Sequence, residues 1–428
     1  MIKDFTQIEL GDYFGFLKSG LSRLLSQQDI GLPVLISGNI KSGRFNFDNL
    51  KYWYLNDPQG ANTNNYILEK GDILLCFINS LEQIGKLAIF NGYERPCIYT
   101  TNLFRIKAKP EFDSYFLYYL LSSQLVQSEI KAITKPAVNQ ASFTTVEFQK
   151  IKVPFINLGK QKKIAKILST VDNVIEKTES AIAKYQAIKQ GLMHNLFTRG
   201  IDVHTGKLRP TPQDAPELYK ESVLGLIPRD WVDSIFKNYL IKNLYGPRFS
   251  GNDYDSEGNV KTIRGMDFSK DGEILYSQAP IALLPKSKVN SHLLEAGDVV
   301  MVTTADCGLT AVFEEQDFQF IPSAYSVKFR FNEEVQPYFI KFFMQTDKAK
   351  RLVNKYVRQG TLGNLPGSDV LNFNIGLPKI DEQKLIIKRL KGIESKIQTE
   401  QQALAKYQQL KSGLLQDLLT GTVEVSVD

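Results

Sequence analysis

Two stretches of this chain carry the same spacing of apolar positions. From Gln161 to Thr198 the residues Ile164, Leu168, Val171, Ile175, Ile182, Tyr185, Ile188, Leu192 and Leu196 recur mostly at threes and fours, the period of one helical face. From Gln383 to Thr420 the residues Ile386, Leu390, Ile393, Ile397, Leu404, Tyr407, Leu410, Leu414 and Leu418 repeat the stripe at a constant offset of 222, without a gap. Both copies contain AxAKYQ followed by KxGL. Each is therefore predicted to be one long helix, and the alternation of fours and threes resembles a coiled-coil seam interrupted by Thr178 and Glu400. Gly191 and Gly413 sit inside the pattern, where glycine costs about 1 kcal/mol relative to alanine; a close helix crossing is the expected reason for them.

What precedes each helix repeats more faintly. LEKGDILL at 68–75 answers LEAGDVVM at 294–301, each a Gly-Asp turn feeding a buried strand. YFLYYLLSSQ from Tyr115 matches YFIKFFMQTD from Tyr338 in helical character, and a Val-Pro at 153–154 and a Leu-Pro at 377–378 close the two segments. The expected organisation is α+β: two pseudo-symmetric α/β domains separated by two long antiparallel helices. The first domain covers 1–157, the first helix 158–199, a linker rich in proline, glycine and polar residues 200–230, the second domain 231–380, the second helix 381–421 and a tail 422–428. A helix of ~38 residues is ~57 Å long at 1.5 Å per residue. Two readers on one face of a DNA duplex lie about 34 Å apart or somewhat more, so helices of this length suit a bipartite site.

At 428 residues, 43% apolar and 23% charged, the chain has the size and composition of a multi-domain globular protein. No apolar run approaches the ~20 residues of a membrane span, and the start lacks a secretory leader, so a cytoplasmic protein without membrane contact is expected. Cys76, Cys97 and Cys307 are too scattered for a disulfide framework or a zinc site. The net charge of +6 resides mainly on the helices: 159–199 carries 8 basic and 3 acidic residues, whereas 1–158 carries 16 and 14 and 200–380 carries 21 and 22. Net charge therefore says little about nucleic acid, and local patches must decide.

YKESVLGLIPRDW at 219–231, DEQKLIIKRL from Asp381 and the ending LLQDLLTGTVEV at 414–425 resemble the specificity subunit of type I restriction-modification systems, over essentially the whole chain. The first copy departs from the pattern in having LGKQKK at 158–163 where the second has DEQK, and the chain reaches LGD at 10–12 without the Ile-Pro-x-x-Trp lead-in of the second domain. The resemblance implies that each globular domain is a target recognition domain for double-stranded DNA. It further implies that the helices dock methyltransferase subunits, two of them, and through these the restriction and translocase subunits. Tyr185, Leu192, Leu196, Tyr407, Leu414 and Leu418 are the expected subunit contacts.

The chain carries no glycine-rich methyltransferase loop, no Asn/Asp-Pro-Pro-aromatic motif and no P-loop lysine. Glu129-Ile130-Lys131 downstream of Pro110-Glu111 resembles a nuclease metal site only superficially: residues 114–130 read as one helix, which places Glu129 and Lys131 on different faces. His194, His204 and His292 lack clustered carboxylates or thiols. A non-catalytic chain with no cofactor and no metal is expected. Base reading belongs to loops of Arg, Lys, Asn, Gln, Ser and Thr, whose groups match base edges and phosphates. The candidates are Lys41, Arg44, Asn46, Asn62, Asn64, Lys135, Asn139 and Gln140 in the first domain. In the second they are Arg248, Arg264, Lys286, Arg358, Gln359, Thr361 and Asn364. KPAVNQAS at 135–142 and RQGTLGN at 358–364 are favoured because they occupy corresponding places. The alternative from another class is a coiled-coil adaptor whose globular domains bind proteins.

Overall fold

The computed structural model describes residues 6–138 and 140–426. The chain divides into two compact units, one of residues up to 180 with those from 401 on, the other of residues 181–400.

Each unit contains the same sheets. In the first, a four-stranded antiparallel sheet runs in the order Phe14–Ser19, Leu103–Ala108, Ile73–Cys76, Leu87–Ile89; in the second the order is Leu240–Tyr245, Ser326–Phe331, Val299–Val302, Thr310–Val312. A three-stranded mixed sheet follows in each, with Leu32–Leu35 parallel to Ile98–Tyr99 and Val260–Ile263 parallel to Phe320–Pro322. The central strands bury both faces and are accordingly runs of Ile, Leu, Val and Met rather than alternating patterns.

The Gly-Asp turns explain the entry to these strands. Gly71 and Gly297 take φ of +94° and +91°, which glycine adopts without a Cβ clash. The buried aspartate that follows accepts from the turn's own backbone and meets two cations on the next strand. Asp72 accepts from Glu69 N–H at 2.7 Å and lies in ion-pair contact with Arg105 Nε at 2.7 Å and Lys107 Nζ at 3.9 Å. Asp298 takes Glu295 N–H at 3.0 Å, Arg330 Nε at 2.7 Å and Lys328 Nζ at 3.6 Å. By strand register Arg105 corresponds to Lys328 and Lys107 to Arg330, so the two copies keep one arginine and one lysine but reverse their order.

Residues 114–130 do not form the single helix expected from the sequence. Ser114–Ser122 ends and Gln124–Ile133 begins at Ser123, and Pro337–Gln345 and Asp347–Tyr356 meet likewise at Thr346. Ser123 and Thr346 accept from the N–H groups of Val126 and Ala349, which starts a new helix at each hydroxyl.

The two long helices, Leu158–Leu196 and Ile380–Leu419, run antiparallel. Within the first unit Asp172 meets Lys411 at 2.6 Å; within the second Glu394 meets Lys189 at 2.8 Å. With the offset of 222 these are corresponding positions, an acid (Asp172, Glu394) and a lysine (Lys411, Lys189) in each. Each acid also receives a group from its own domain: Tyr119 donates to Asp172 at 2.7 Å, and buried Lys341 lies 4.0 Å from Glu394 while pairing with Glu273. Gln161 and Gln383 repeat a second joint. Their Oε1 atoms accept from Asp113 and Gln336 N–H at 2.8 Å, and their Nε2 atoms donate to Ile156 and Pro378 carbonyls at 2.6 and 2.9 Å. At Gly191 and Gly413 nothing lies within 4 Å of where a Cβ would sit, so the close helix crossing expected there is absent among the described residues.

The stretch 200–230, whose composition predicts a linker, is packed into the second unit. Tyr219–Lys220 pairs with Ile227–Pro228, and Ile201 and Trp231 are buried. Buried Glu382 organises the segment, accepting from Ile201 N–H at 2.7 Å, Trp231 Nε1 at 3.1 Å and both arms of Arg209 at 2.5 and 2.9 Å. At the position of Glu382 in the first helix stands Lys160, whose Nζ meets Glu424 of the C-terminal tail at 3.5 Å. The sign of the charge at the helix start has changed together with the segment it holds.

Candidate nucleic-acid interface

The two favoured loops are built alike. In the first unit Lys135–Pro136 pairs with Ala141–Ser142, which pairs in turn with Ile78–Asn79. In the second, Arg358 and Asn364 exchange backbone hydrogen bonds at 2.8 and 3.1 Å, Ala305 N–H donates to Gly363 at 3.0 Å and Leu365 N–H to Thr303 at 2.8 Å. Each loop is thus a hairpin laid on the edge of the segment that follows the central strand. Ala305, a non-glycine residue at φ +65°, turns the chain beneath the second hairpin; such strain concentrates where surrounding structure holds a functional surface. Gln140 is exposed in the first hairpin and Gln359, Thr361 and Asn364 in the second. Apolar side chains crown both, Val138 at 99% exposure and Leu362 at 62%. Asn139 lies outside the described residues. Lys135 pairs with Glu147 at 2.8 Å, and that lysine together with the Thr144 hydroxyl holds the Glu147 carboxyl below the usual range. Arg358 lies 3.6 Å from Asp369.

Beside each hairpin is a short helical corner, Ser37–Asn39 and Gly265–Asp267, closed when Asn39 accepts from Ile36 N–H at 3.0 Å and Asp267 from Arg264 N–H at 2.8 Å. Asn79 links corner and hairpin in the first unit by donating to Ser37 Oγ at 2.9 Å. The corner changes the reading of Arg264, whose guanidinium grips Asp267 with two bonds at 3.0 and 2.9 Å; its fork is occupied within the chain. Arg44 is also engaged internally, pairing with Glu179 at 3.1 Å and donating to the Asp172 carbonyl at 3.2 Å. Asn46 and Asn62 accept from Asp48 and Asn64 N–H in local turns. Lys41, Asn64, Arg248 and Lys286 are exposed. Lys288 donates to the Arg248 carbonyl at 3.2 Å.

The expected subunit contacts divide. Leu196 and Leu418 are buried in the cores of their own units, and Leu192 and Leu414 pack partly against them. Leu196 and Leu418 therefore offer no surface to a partner, a correction to the sequence expectation. Tyr185 and Tyr407 are half-buried. Ile188 and Leu410, at corresponding positions, are 43% and 51% exposed.

Among the described residues no group of three His, Cys, Asp or Glu side chains converges as a metal site requires, and no helix is long and apolar enough to cross a membrane.

Comparison with known proteins places the chain. The type I restriction modification DNA specificity domain matches twice, over residues 8–185 and 240–409. The MjaX and MjaVIII type I restriction enzyme specificity subunits of Methanocaldococcus jannaschii are 28% and 24% identical, each over 99% of this chain and 94% of the relative. The EcoKI specificity subunit of Escherichia coli is 19% identical over 92% of this chain and 83% of its own length. The fold is that of the type I system S subunit of M. genitalium, with a TM-score of 0.59 at 14% identity over 99% of this chain and 97% of that one. The twin matches, the duplicated hairpins and the repeated long helices agree: the chain belongs to the DNA specificity family of type I restriction-modification systems, whose members are recognition components rather than catalysts.

Proposed function

We propose that the chain reads a bipartite, asymmetric site in double-stranded DNA, one half with each domain, and brings the methyltransferase to it. The observation that carries this is the pair of hairpins on equivalent strand edges. The frameworks beneath them are alike, while the side chains presented, Gln140 in one and Gln359, Thr361 and Asn364 in the other, differ. Equal scaffolds with unlike readers imply unlike half-sites. Base contact is assigned to these hairpins and to Lys41, Asn64, Arg248 and Lys286; Arg44 and Arg264 serve chiefly to fix the loops. Two methyltransferase subunits dock on the long helices, with Tyr185, Ile188, Tyr407 and Leu410 as the apolar contacts, and restriction subunits join through them in the cytoplasm. The test is a gel shift of the complex with its methyltransferase subunit across a range of salt, coupled to mapping of methylated adenines. Sequence-selective binding whose logarithm falls linearly with the logarithm of salt concentration supports the reading. An adaptor that binds only proteins gives no such slope.

A further inference from the structure

The helix Asp347–Tyr356 reads DKAKRLVNKY. It buries Ala349 and Val353, and Gly308 packs on Val353 closely enough that a Cβ would lie 2.7 Å from it. The helix is thereby fixed beneath the 303–308 segment that carries the second hairpin. Away from that buried side, half-buried Lys348 and exposed Arg351 and Lys355 recur at spacings of three and four, and three residues further on Arg358 opens the hairpin itself. Positions 348, 351 and 355 share a face and span about 10 Å of helix axis.

These three cations have no acidic partner within ion-pair distance among the described residues; the one acid of the helix, Asp347, lies 3.7 Å from Lys350. Partial burial and the like charge of Arg351 depress the pKa of Lys348. The first unit does not share it. With Ser123 and Thr346 aligned as caps, the row corresponds to exposed Leu125, Ser128 and Ala132.

We infer that Lys348, Arg351 and Lys355 form a phosphate track that grips the DNA backbone beside the second half-site, a grip the first domain lacks. The inference rests on the DNA-reading function proposed above. Duplex DNA presents a negative charge every ~3.4 Å along each strand, and each phosphate neutralised steepens the salt dependence of binding by about 0.9 in logarithmic slope. Such contacts set register and affinity without reading sequence.

The test titrates the full chain with a short duplex of arbitrary sequence at several salt concentrations. Lys348→Gln, Arg351→Gln and Lys355→Gln together should lower the slope by about two to three, while Lys348→Arg with Lys355→Arg preserves it. Half-site preference in the complex with its methyltransferase subunit should be unchanged. The converse variant, Ser128→Arg with Ala132→Lys, should raise the slope by about one to two. An unchanged slope in a neutralised variant that melts like the parent overturns the track, as does a converse variant of unaltered slope or the loss of selectivity at one base position. A parent chain whose duplex binding ignores salt would instead remove the DNA-reading function, and the track with it.

Discussion

Glu382 and Lys160 stand at one position of the repeat and carry opposite charges, and their surroundings set very different costs for losing them. Glu382 is buried against Arg209, Trp231 and the Ile201 amide. Glu382→Ala leaves the buried Arg209 guanidinium without its main partner, which costs about 3–5 kcal/mol; urea denaturation should register it as a loss confined to residues 181–400. Lys160→Ala breaks a pair largely in solvent and should cost under about 1 kcal/mol. The departure of LGKQKK from DEQK was visible in the sequence. Its meaning was not, because the partner Arg209 lies 173 residues from Glu382 inside a stretch whose composition reads as linker. The internal partners of Arg44 and Arg264 are hidden from the sequence for a related reason: composition reveals a donor-rich loop, but the pairing with Glu179 and Asp267 is known only once the chain is folded.

Elements were legible wherever a period was long. The long helices emerge within a few residues of their predicted ends, because forty residues of one stripe leave no competing period. The break at Ser123 was missed since apolar residues continue across it and only a hydroxyl marks the new start. The hairpins could be located by correspondence between copies, yet their strand pairing to Ile78–Asn79 and to 303–305 was beyond sequence reach, the pairs being only two residues long. At this scale the second hairpin should act alone. Gln359→Ala or Thr361→Ala should reduce discrimination by about 1–3 kcal/mol at a contacted base pair of the second half-site, measured on duplexes with single-pair replacements, and leave the first half-site untouched. The joint between the long helices is open to a double-mutant cycle. Asp172→Asn and Lys411→Met, alone and combined, should show a coupling of about 1 kcal/mol for a half-buried contacting pair; additive losses would mean that the bond at 2.6 Å does not hold the helices in register.

For the molecule as a whole, the proposed function puts recognition and assembly on different residues, so the two should fail separately. Exchanging residues 1–157 for the corresponding part of a relative should change one half-site only, read by methylation mapping; a change in both halves would defeat the modular view. Ile188→Glu and Leu410→Glu place a charge on exposed apolar positions away from both cores. They should weaken co-purification with the methyltransferase subunit while leaving thermal stability and sequence preference in place. Leu192 and Leu414 are poorer probes, since they pack partly on core residues and a charge there would confuse unfolding with loss of docking.

The reversed order of arginine and lysine around Asp72 and Asp298 limits how such chains can be recombined. A crossover that joins the two copies between residues 105 and 107, or between their counterparts 328 and 330, would set two arginines or two lysines around one buried carboxylate. Two arginines overfill the space that a lysine had left, and two lysines withdraw the guanidinium that met the carboxylate at 2.7 Å. Breakpoints inside this strand are therefore penalised even where the flanking residues align without a gap. The strand has to be inherited whole.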